Sequence, residues 1–157
     1  MGAIVFFEVE SGKTCPYTFT TPARSLFEFV IEYQIGIGNF PNELEKIEKY
    51  FHLNILPITK IGLPEWELIL EEFDMNEVQF NKEREASLAL WQSPNELISC
   101  IRSILRALHE TPDIFSRLNI SSPYFAKGFF EGNLIDLLKM AEWANENRET
   151  KVRLLVV

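Results

Sequence analysis

Asn133-Leu-Ile-Asp-Leu-Leu-Lys-Met-Ala-Glu-Trp-Ala-Asn-Glu-Asn-Arg-Glu-Thr-Lys-Val-Arg-Leu-Leu-Val-Val157 is the stretch whose reading decides the fold. From Leu134 to about Asn147 the apolar residues recur with the period of a helix. Leu134, Leu137, Leu138, Ala141 and Ala144 share one face. A polar turn, Arg148-Glu-Thr150, separates this helix from a strand over Lys151–Val157. The strand ends in four consecutive apolar residues, Leu154–Val157. A strand that does not alternate has no face suited to water, which predicts an inner position covered on both sides.

Working outward, Ala3–Glu10 and Cys15–Thr20 read as a β-hairpin around Ser11-Gly12-Lys13-Thr14. Pro16 lacks an amide hydrogen, so its strand belongs at an edge or a bulge. Thr21-Pro22 opens a helix with Leu26, Phe27, Phe29, Val30 and Tyr33 inward, ended by Gly36-Ile-Gly38-Asn39. Pro41 opens a second helix to about Phe51, with Leu44, Ile47, Tyr50 and Phe51 inward. His52–Gly62, interrupted by Pro57, reads as a connection with one short strand. Leu63-Pro64 starts an acidic helix reaching toward Phe80, and Ala86–Trp91 reads as a strand, with a helical lead-in as the alternative. Ser93-Pro94, with Glu96 three residues after the serine, gives a capping-box start to a long helix. Its stripe is Leu97, Ile101, Ile104, Leu105 and Leu108. Thr111-Pro112 begins a short helix through Leu118, and Ser122–Phe130 reads as a strand or an irregular aromatic arm.

These elements predict a single α+β domain over residues 1–157. Its sheet is small and mostly antiparallel, the N-terminal hairpin plus the C-terminal strand, packed against several amphipathic helices. With 46% apolar and 13% aromatic residues, the chain has the material for one core. No apolar run approaches the ~18 residues of a membrane span. The N-terminus lacks a secretory pattern, and Phe6 stands where myristoylation wants Ser or Thr. Cys15 and Cys100 have no metal or redox spacing and read as thiols in a reducing compartment. The expectation is a cytoplasmic protein.

Charge is the most informative feature for function. The net charge is −8, and eight acidic residues fall between Pro64 and Glu85 against Lys82 and Arg84. Such a surface repels nucleic acid, whose phosphates are bound by Lys and Arg, and speeds encounter with basic proteins. Glu67, Glu71 and Asp74 line one stripe of the acidic helix, with Glu72 beside it. Three carboxylates on one exposed helix face are a solvated surface or a docking surface before they are a metal or catalytic site. His52 and His109 supply no nucleophile–base pair, and Gly36-Ile-Gly38 follows a helix and makes no phosphate cradle. Trp143 lies about 180° around the helix from Leu134, beside Asp136 and Lys139. It is either an exposed interface anchor or a residue covered by the aromatic arm Tyr124–Phe130.

The layout resembles the small bacterial immunity proteins of polymorphic toxin systems, including those paired with contact-dependent growth inhibition toxins. The resembling pieces are Val5-Phe-Phe-Glu-Val9, Tyr17-Thr-Phe19, Phe40-Pro41 and Trp66-Glu-Leu-Ile-Leu-Glu-Glu72. Tyr124-Phe125, Gly132, Leu134-Ile-Asp-Leu-Leu138, Ala141, Ala144 and the terminal strand complete the pattern. It spans most of the chain, and Phe51–Leu63 departs from it. The resemblance implies a non-enzymatic protein without cofactor or metal, whose partner is the C-terminal domain of a cognate toxin. Such toxins are commonly basic nucleases, which an acidic face suits. The partner-binding residues expected are Glu67, Glu71, Glu72, Asp74 and Trp143, with no direct contact to nucleic acid or membrane and the oligomeric state open. The other reading is a small enzyme or ligand-binding domain with an aromatic-lined pocket.

Overall fold

The computed structural model describes residues 5–35, 42–62, 76–78, 81–82 and 91–156. Three strands form one sheet: β1 (Val5–Val9), β2 (Ile61–Gly62) and β3 (Val152–Val156), in the order β1-β3-β2. The C-terminal strand is therefore central, as its unbroken apolar run requires. β1 runs antiparallel to β3, from Val5 opposite Val156 to Val9 opposite Val152. β2 joins the other edge in parallel, Ile61 opposite Leu154. Val5, Val9, Val152 and Leu154 are buried on the core face. The opposite face carries Glu8 and Arg153, paired across the strands at 2.7 Å, with the Arg153 guanidinium stacked 4.5 Å above the Trp91 ring.

Seven helices are assigned among the described residues: α1 (Arg24–Ile35), α2 (Glu43–Phe51), α3 (Leu56–Thr59), α4 (Pro94–Glu110), α5 (Ile114–Arg117), α6 (Pro123–Ala126) and α7 (Phe129–Glu146). None is long and apolar enough to cross a membrane. The architecture is α+β, as the pattern predicts. α4 and α7 form its centre. Leu97, Ile101, Ile104 and Leu108 of α4 meet Leu134, Leu137, Ala141 and Ala144 of α7, all essentially without solvent contact. The small alanines let the two helices approach closely, and Arg102–Glu142 bridges them on the outside at 3.3 Å.

Local chemistry explains the helix ends. The Ser93 hydroxyl accepts from the Asn95 amide at the start of α4, and the Asn42 side chain accepts from Leu44 at the start of α2. Each such cap is worth about 1 kcal/mol. α2 stops at His52, held left-handed with φ 54°, and α7 starts after Gly128, whose φ of 82° a side chain would oppose.

Several expectations need correction. Cys15–Thr20 forms no strand, so the expected hairpin is absent, and the observed pairing of β1 is with the distant β3. α1 begins at Arg24 rather than at Pro22, with the Phe27 amide bonding the Ala23 carbonyl at 3.1 Å, while the Thr21 carbonyl accepts from the Asn133 side chain. Tyr50 is exposed. His52–Gly62 supplies the short helix α3 as well as the strand β2. The aromatic arm Ser122–Phe130 is helical: Pro123 opens α6, and Tyr124, Phe125 and Phe130 enter the core. There Phe125 touches Phe29, Phe130, Tyr124 and Phe115 at ring separations of 4.8 to 5.6 Å. Aromatic edges and faces favour such contacts, and helical backbone places three rings in one knot where a strand could not. The terminator Gly36–Asn39 and most of the strand proposed at Ala86–Trp91 lie outside the described residues. Trp91 itself is irregular, and Gln92 forms an isolated antiparallel bridge to Val152.

Candidate interaction surface and clefts

Glu67, Glu71, Glu72 and Asp74, the predicted acidic stripe, lie outside the described residues. The pieces of that region that are described, Asn76–Val78 and Asn81–Lys82, are all exposed, Val78 at 82%. A second concentration of acid lies on α1 and α2. Burial, then the neighbouring carboxylates of Glu43 and Glu28, raises the proton affinity of Glu32. Glu48 accepts from the Tyr33 hydroxyl at 2.9 Å; burial and that bond to a carboxylate push the phenol up to about 12. The structure thus shows crowding of negative charge on described helices that the sequence reading treated as a solvated face.

Trp143 sits on α7, half-buried and packed against the core. The side of α7 expected to face water is therefore partly covered. Asp136, placed on the polar side by pattern, is 4% exposed. Its carboxylate accepts from the Thr20 amide at 2.9 Å and from the Thr20 hydroxyl at 2.8 Å. One turn earlier Asn133, fully buried, accepts from the Tyr124 hydroxyl at 2.7 Å and donates to the Thr21 carbonyl at 2.9 Å. Buried polar groups must be paired, and these two side chains satisfy the N-terminal segment where it crosses α7. Reading Asp136 as exposed missed this clasp. The available signal was an Asn–Asp pair three residues apart, bordering Leu137 and Met140 on the buried arc.

Two concave surfaces stand out. The first, about 780 Å³, lies between the end of α2, α3 and the first turns of α4. His52, Lys60, Glu96 and Cys100 bring titratable groups to it, and Asn95, Ser99 and Ser103 form a neutral ridge along α4. Burial pushes the Cys100 thiol up to about 11, so it stays protonated near neutrality and is a poor nucleophile. The second, about 530 Å³, is an apolar groove between β1 and the segment Gly12–Phe19, with Ala23 and Met140 at its base. Phe6 and Tyr17 border it, each 49% exposed. Among the described residues no group of His, Cys, Asp and Glu is arranged to hold a metal ion. The two histidines stand apart, His52 at the α2 end and His109 at the α4 end.

Fold and surface together define a small α+β protein with an acidic exterior, a polar cleft and an apolar groove beside an edge strand. Searches against protein-family models, curated proteins and solved structures found no match for this chain.

Proposed function

We propose that this chain is a non-enzymatic immunity-type protein of a polymorphic toxin or contact-dependent growth inhibition system. It acts in the cytoplasm and neutralises the C-terminal domain of a cognate toxin by binding it through an acidic surface. The observation that carries this reading is the distribution of charge: six of the eight surplus negative charges belong to residues between Pro64 and Glu85. Clustered surface charge steers a basic partner and accelerates its encounter, and a basic nuclease domain is the toxin that fits best. The docking set is Glu67, Glu71, Glu72 and Asp74, with the half-buried Trp143 as a candidate apolar anchor.

The test is co-expression with the C-terminal domain of the protein encoded immediately upstream. Growth arrest by that domain, relieved by this chain through a 1:1 complex, supports the proposal. No arrest and no complex sinks it. A ligand-binding function is the second reading, favoured by the apolar groove with Phe6, Phe7, Tyr17 and Phe19 along it. Saturable binding of a small apolar molecule, abolished by substitutions at Phe19 or Met140, distinguishes it from toxin binding.

A further inference from the structure

Among the described residues β1 is an edge strand, and the direction in which its outward hydrogen-bonding groups point follows from two bonds. Glu10 donates its amide to the Lys151 carbonyl at 3.1 Å, while Val152 exchanges both backbone bonds with Gln92 on its other side. Antiparallel bonding alternates, so Glu8 and Phe6 face β3, and the backbone groups of Val5, Phe7 and Val9 face outward. That edge borders the 530 Å³ groove, whose far wall is Gly12–Phe19.

The far wall is anchored at both ends, and between them Cys15 and Phe19 rest against the core while the Tyr17 amide donates to the Cys15 thiol. Ser11 bonds the Glu149 carboxylate, and Thr20 is held by Asp136. Among the described residues no backbone amide from Thr14 to Phe19 finds a backbone carbonyl. Yet the reversal that would start a hairpin is already built: Gly12 donates to the Val9 carbonyl at 3.1 Å and sits left-handed at φ 80°. A left-handed glycine after such a turn is the bulge that closes a three-residue hairpin loop, setting Val9 opposite Lys13. Continuing that register places Cys15 opposite Phe7 and Tyr17 opposite Val5. It turns Lys13, Cys15 and Tyr17 to the side of the apolar floor, Lys13 next to the turn, and Thr14, Pro16 and Thr18 toward water. Pro16 then falls opposite Phe6, where the ladder asks for no amide hydrogen. The register, the placement of Cys15 and Tyr17 and the proline agree, with Lys13 the one charged side chain on that side.

We propose that Lys13–Tyr17 is a strap that closes onto β1 as a fourth strand, filling the groove with Cys15 and Tyr17 and gating access to the sheet edge. The open arrangement exposes the edge; the closed one hides it, as folded proteins commonly protect such edges.

Amide exchange in the unmodified protein reads the closed state directly. Closure protects the Phe7 and Tyr17 amides, the first donating to Cys15 and the second to Val5. Disulfide trapping fixes the register: in a C15S background, F6C/P16C joins a facing pair whose Cα separation of about 4.5 Å suits a disulfide. F6C/T18C joins a diagonal pair. With oxidised glutathione as oxidant, F6C/P16C should close on the order of tenfold faster than F6C/T18C. Phe7 and Tyr17 amides that exchange as in an unstructured chain overturn the proposal, whether or not the variants fold. Equal trapping in the two variants overturns the register.

Discussion

Asp136 on the C-terminal helix receives both the amide and the hydroxyl of Thr20, 116 residues earlier, on the same carboxylate oxygen. This contact fixes where the N-terminal segment leaves the sheet and crosses α7. With Asn133 it converts a chain reversal into a defined path, and it holds one end of the groove.

Removing that carboxylate should therefore be costly. Asp136→Ala removes two hydrogen bonds to a buried carboxylate, while the exposed Thr20 can turn its donors to water, and should lower stability by about 1–3 kcal/mol. Asp136→Asn keeps one acceptor and should lose less. Urea unfolding with an unchanged m-value measures both, and equal, negligible losses would remove the clasp from the account.

The aromatic knot supplies the second prediction. Phe125 is 1% exposed and contacts four rings, so Phe125→Ala should destabilise by about 3–5 kcal/mol. Phe129→Ala, at a 43% exposed neighbour, should change stability by no more than about 0.5 kcal/mol. Thermal and denaturant midpoints of the two variants make the comparison.

Alkaline stability should carry a signature of Cys100. Its folded thiol is raised from 9.0 to about 11, so above pH 9 the folded state holds a proton that the unfolded state releases. The contribution is complete below pH 9 and is lost as the pH rises toward 11. Tyr33 and Tyr124 are raised as well and act in the same direction. Stability measured from pH 8 to 11 should therefore fall less steeply in Cys100→Ala than in the parent. Parallel slopes would show that the thiol does not titrate differently on folding.

Charge reversal tests the proposed docking face. Glu67→Lys with Glu71→Lys should slow association with the toxin domain on the order of tenfold and flatten its salt dependence, leaving dissociation and stability nearly unchanged. Stopped-flow kinetics at several ionic strengths provides the measurement, and unaltered association moves the interface elsewhere.

What the sequence determined by itself was what depends on local period and composition. The amphipathic run of α7, the Ser93 cap of α4 and the inner position of β3 each carry their instruction within a few residues and formed as expected. The second face of β3, expected to be covered, instead leaves Phe6 and Glu8 partly open to water. Net charge and its concentration between Pro64 and Glu85 are likewise sequence properties. Tertiary structure alone decided pairings across the chain. Cys15–Thr20 has the pattern of a strand but is not one, whereas β1 pairs with β3 in a five-residue antiparallel match, Val5–Val9 with Val152–Val156, that buries four apolar side chains on the core face. The aromatic segment Tyr124–Phe130 is helical, and its rings meet Phe29 and Phe115, contacts that the local sequence pattern does not specify. Asp136 looked solvated because its helix position faces away from Leu134, and only the crossing of Thr20 buried it. A period of 3.6 or 2 reports which residues share a face; what comes to cover that face is set by segments more than a hundred residues away.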